Sequence, residues 1–153
     1  MKRNNKYPDT STFHYHNENP KGRITGDCAY RALAAGTGIS YNEVVMGLAK
    51  VHCETGYEPT EGRGLDAYMK SIGWVKHKQP RKWDNTKYTG KEFCEELNFG
   101  YEICESGSIV ANIGGHHMVA IKEIKCEDGA YRYKVHDIWD STNGCIGNYW
   151  TKG

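Results

Sequence analysis

Between Cys28 and Asn98 apolar positions recur at helical intervals, whereas beyond Asn98 they fall in short alternating or β-branched runs broken by glycines. Asp27 or Thr25 can cap a helix that opens at Cys28. Ala29, Ala32 and Leu33 form its apolar side, and Gly36 and Gly38 stop it. Ser40 and Glu43 have the spacing of a capping box and begin a second helix that runs to about His52. Its Val44, Leu48 and Val51 turn toward the core. The run "GRGLDAYMKSIG" predicts a short helix ended by Gly73, and "WVKHK" a strand after it. Thr89 and Glu92 repeat the capping spacing before "FCEEL", with Phe93 and Leu97 as a buried i, i+4 pair.

The second half reads as strands: "GYEIC", "SIVANI", "HMVAIKEI", "YRYKVHDIW" and a last one in "CIGNYW". Helices first and strands afterwards predict an α+β fold, a helical half packed on a mostly antiparallel sheet. Residues 1–23 are polar and lack sustained periodicity, so they read as a loop or extended arm. Without an internal repeat or a low-complexity tract, residues 1–153 are expected to form a single domain.

Composition narrows the partners. A hydrophobic fraction of 38%, a charged fraction of 25% and a net charge of +1 fit a globular chain with no electrostatic case for nucleic acid. The dense basic runs, "MKRNNK" and "KHKQPRKW", are short and read as solvated faces. Eleven tyrosines and four tryptophans can fill a core or line a groove for extended peptide. Apolar runs are too short to span a bilayer, and Met1 to Thr12 lacks the apolar stretch of a secretory signal. Action in a cytosol, the cell's own or a host's, is the expectation. Six cysteines stand at positions 28, 53, 94, 104, 126 and 145; none forms a CxxC pair, and free thiols are expected.

Candidate chemistry centres on Cys28. A cysteine at a helix start lies beside unpaired backbone N–H groups that favour its thiolate and can receive charge on a carbonyl oxygen. It needs a base. "GGHHMVAIKEI" offers His117, which shares a strand face with Val119 and Ile121, the stripe expected against the helical layer. His116 is the rival if the glycines break strict alternation. "YKVHDIWDS" offers Asp137 to orient the imidazole, with Asp140 as the rival and turn capping as that residue's more ordinary role. Trp139 either shields the His–Asp pair or packs the core. Zinc held by His14, His16, His116 and His117 is a remote alternative.

"GDCAYRAL", followed by "HHMVAI" and "HDIWDS", resembles the papain-like cysteine peptidases, in particular their small bacterial and phage-encoded C39-like branch. The resemblance spans roughly Ile24 to Trp150. It implies an α+β papain-like fold with Cys28 as nucleophile, His117 as base and Asp137 as orienter. Cleavage of a peptide or isopeptide bond through a thioester follows, with a peptide or protein substrate and no cofactor. Deamidation, transglutamination and other acyl transfer use the same thiol chemistry. One departure stands out: "NENPKGRITGDC" lacks the glutamine that such enzymes place before the nucleophile to help hold the oxyanion. Asn19, less readily Asn17, or the Cys28 backbone N–H with a neighbouring donor, can take that role. The same departure motivates the alternative of a papain-like protein-binding accessory module.

Overall fold

A computed structural model describes residues 6–100 and 107–153. The strand expected over "GYEIC", with Cys104, and the start of the polar arm lie outside these residues. Element order is β1 (Phe13–Tyr15), α1 (Cys28–Thr37), α2 (Tyr41–Thr55), α3 (Gly62–Ser71), β2 (Trp74–His77), α4 (Gly90–Asn98), β3 (Ser108–Ile113), β4 (His117–Lys125), β5 (Tyr131–Asp137) and β6 (Ile146–Lys152). The strands form one sheet in the order β1-β5-β4-β3-β6-β2, an α+β arrangement. Every pairing is antiparallel except that of β1 with β5.

Local chemistry explains most boundaries. Ser40 Oγ accepts from the Glu43 N–H at the start of α2, and Thr89 with Glu92 closes a reciprocal capping box at the start of α4. Gly38, at φ 78°, ends α1 in the left-handed conformation that glycine adopts without strain. Gly36 does not stop that helix, as the sequence suggested. It lies inside it, where an added Cβ would meet Val110 Cγ2 at 2.5 Å, so the glycine sets how closely α1 approaches β3.

Helices cover both faces of the sheet, which corrects the expectation of one helical layer. Alternation along β3 sends Val110 toward α1, α2 and α3, where it joins Leu33, Leu48, Met69, Met118 and Trp150. Ile109, Ala111 and Ile113 face the other way and join Phe93 and Leu97 of α4 with Val119 and Ile121. The stripe shared with His117 therefore packs under α4, and Met118 meets the α1 side.

The polar arm contains an unforeseen strand. Phe13 is fully buried, and β1 runs alongside β5 with His14 opposite His136 and Tyr15 opposite Asp137. Among the described residues no helix is long and apolar enough to cross a membrane.

Candidate active site

The strands diverge where the site forms. Pairing of β4 with β3 continues to Ile113↔His117, while pairing with β5 reaches only Ala120↔His136. Gly114 (φ 63°) and Gly115 (φ 87°) make the turn that delivers His117 to the head of β4. The first turn of α1 brings Cys28 to this divergence. As a result the helix start, the head of β4 and the end of β5 converge, though their residues are far apart in sequence.

Cys28 is half-buried, and its sulfur accepts hydrogen bonds from the His117 side chain and the Met118 backbone N–H. The His117 bond is the strongest influence holding the thiol below its ordinary value of 9.0. Burial opposes it, and the positive charges of His117 and Arg31 assist. His117 Nε2 donates to Asp137 Oδ2 at 2.6 Å, which leaves Nδ1 for the sulfur. Burial alone would depress the imidazole, but the bonds to Asp137 and Cys28 prevail and push it up to about 9. The arrangement favours a thiolate beside an imidazolium.

Asp137, only 1% exposed, is fixed by more than the histidine. It also accepts from Arg31 Nη1 at 3.0 Å, from Ser141 Oγ at 2.8 Å and from the Ile138 N–H at 2.8 Å. A carboxylate so deeply buried requires such partners, because an unpaired charge away from water is strongly unfavourable. Arg31 in turn donates through Nε to Asp27 Oδ1 at 2.8 Å, and Asp27 Oδ2 accepts from Asn19 Nδ2 and the Tyr41 hydroxyl. Asp27 stands at the N-cap of α1, but its side chain makes no cap bond. Its carboxylate is drawn into this network instead, and the backbone N–H groups of the first helical turn are left without a side-chain cap.

Among the sequence candidates, Cys28, His117 and Asp137 converge. The rivals take other places. Asp140 accepts from the Thr142 N–H and hydroxyl, the turn-capping role expected of it, and His116 lines the adjoining cleft. Trp139 is 41% exposed, with its ring 4.9 Å from that of His117, so it shields one side of the imidazole rather than filling the core. Asn19 directs its amide to Asp27 and Asn17 to the Arg23 carbonyl, so neither is poised over the sulfur as an oxyanion donor. His14 and His16 engage Asp9, Glu18 and the ring of His136, not His117. Among the described residues no three His, Cys, Asp or Glu side chains are grouped to hold a metal.

A cleft of about 370 Å³ opens beside Cys28. Its apolar surface comes from Tyr30, Leu65, Met118 and Trp150, and its polar groups include Asn112 and Asn148. A larger open depression of about 740 Å³, near Thr10 and Asp128, contains none of the converging residues. Cys94 differs from Cys28 in every respect: fully buried, with burial pushing its thiol up to about 12.

Sequence reasoning did not find Arg31 or Ser141. The i, i+4 spacing of Asp27 and Arg31 on a helix was a signal for that pair, but the bond from Arg31 to Asp137 crosses 106 positions and has no local trace. Comparison with protein-family models, curated proteins and solved structures finds no match.

Proposed function

We propose that this chain is a papain-like, thiol-dependent hydrolase that cleaves a peptide or isopeptide bond. The observation that carries the reading is the continuous hydrogen-bonded series from the Cys28 sulfur through His117 to Asp137, at the edge of an open cleft. The Cys28 thiolate attacks an amide carbonyl carbon, and the oxyanion receives backbone N–H groups from the uncapped first turn of α1. The His117 imidazolium then gives its proton to the leaving nitrogen as the C–N bond breaks, leaving a thioester. Next, His117 takes a proton from water, the hydroxide attacks the thioester, and the carboxylic acid departs with return of the thiolate. Asp137 holds the ring in the tautomer and orientation that both transfers require. Apolar walls at Tyr30, Leu65, Met118 and Trp150 suit a side chain next to the scissile bond.

Iodoacetamide labelling at pH 6, followed by peptide mapping, tests the nucleophile. The expected adduct is confined to Cys28 and forms about 10²-fold more slowly in His117→Ala. Even labelling of Cys28, Cys53, Cys126 and Cys145, indifferent to that substitution, would exclude the reading. Hydrolysis of a fluorogenic peptide library, abolished in Cys28→Ala, tests the reaction itself.

A further inference from the structure

We infer that Arg31 is a positioning residue for the candidate site, anchored by Asp27 and through it by the Asn19 end of the polar arm, and that it holds Asp137 against His117. The role assigned to Asp137 rests on the proposed hydrolase reading, whereas the link from Arg31 to His117 can be measured without it.

The guanidinium lies between two buried carboxylates. It donates through Nε to Asp27 and through Nη1 to Asp137, and all three residues are at most 6% exposed. A planar fork with fixed donor directions holds both acceptors in set orientations, which a freely rotating ammonium does not. Asp137 uses its other oxygen for His117 and Ser141, so the guanidinium fixes the carboxylate's rotation while His117 occupies the opposite side. Asp27 is itself held by Tyr41 of α2 and by Asn19. Burial works against the charge on Asp27, but its bonds to Arg31, Asn19 and Tyr41 keep its carboxyl below the usual range.

The arm reaches Asp137 by a second route as well. The His16 N–H donates to the Asp137 backbone carbonyl at 2.9 Å, continuing the parallel pairing of β1 with β5. Residues 16–19 thus grip Asp137 at its main chain and, through Asp27 and Arg31, at its carboxylate. These contacts explain why a polar segment without sequence periodicity is ordered against the sheet.

The test is the titration of His117, followed by NMR of its ring in a Cys28→Ala background, so that the readout does not depend on thiol chemistry. In Arg31→Met the Asp137 carboxylate loses the guanidinium that fixes its rotation and turns away from the ring, so the imidazolium loses its partner. The expected result is a His117 pKa at least one unit lower than with arginine present. Arg31→Lys keeps the charge but not the fork, and a value between the two is expected. Should Arg31→Met fail to fold, Asp27→Asn/Arg31→Met removes one charge of each sign and is expected to give the same downward shift.

With Cys28 present, the same substitution should slow iodoacetamide labelling at pH 6 at least tenfold. Lower thermal stability with an unchanged or raised His117 pKa in the folded variant would overturn the inference and leave Arg31 a structural residue. Failure of the hydrolase reading has a different signature: His117 shifts with Arg31→Met, but no peptide is cleaved by the unmodified chain.

Discussion

The proton shared between Cys28 and His117 decides what the sulfur can do. The thiol lies below its ordinary 9.0 and the imidazole is raised to about 9, so the ion pair occupies a pH window bounded above by the histidine. Alkylation of Cys28 should therefore show an acid limb below 9, and peptide cleavage should fall as pH rises through about 9 and the imidazolium loses its proton. His117→Ala should return the limb of alkylation toward the ordinary thiol value, measured as rate against pH. Cys94, sealed in the α4 side of the core, should remain unlabelled until the protein is denatured. Sequence identified the three converging residues but not their surroundings. The physical chemistry of a thiol pointed to a helix-start cysteine and a strand-borne histidine, whereas the buried guanidinium behind them is visible only when distant segments pack.

At the scale of elements, the caps of α2 and α4 were the most legible features because their donors and acceptors sit within a few residues of one another, whereas Asp27 at α1 is drawn away by Arg31. Thr89→Ala removes the hydroxyl that accepts from the Glu92 N–H, leaving only the residue-89 N–H bonded to Glu92, and should cost about 1 kcal/mol, read as a lower denaturation midpoint. Since α4 covers the face opposite α1, alkylation of Cys28 should change little. Gly36→Ala should behave otherwise. Its Cβ would collide with Val110, cost about 1–3 kcal/mol, and lift α1 from the sheet that supplies His117. Slower labelling at pH 6 should accompany the loss of stability. The early strand was less legible: Phe13–Tyr15 is too short to show alternation, and its place is set by a partner more than a hundred positions away. Likewise, strand parity put Val119 and Ile121 on one face correctly but could not say which helix would cover it.

Over the whole molecule, the edge formed by β1 and β5 responds to acid. His136 is 8% exposed, and burial, together with the positive influence of His14, Lys122 and His16, lowers it from 6.5 to about 3. Below pH 6.5 the unfolded chain takes up a proton that the folded chain refuses, so stability falls as pH drops from 6.5 toward 3. The loss attributable to this residue reaches roughly 4–5 kcal/mol at the lower end. Denaturant midpoints at pH 7, 5 and 4 should decline, and His136→Gln should flatten the decline. This edge also carries the backbone of Asp137, so acid should weaken labelling of Cys28 before the helices unfold.

The separation of 89 positions from residue 28 to residue 117 also has a temporal meaning during synthesis. On the ribosome the sulfur emerges first, and the groups that alter its reactivity arrive only with later strands. Until those strands join the sheet, a nascent chain carries an ordinary thiol, and under the proposed hydrolase reading its reactivity would be switched on only by completion of the fold.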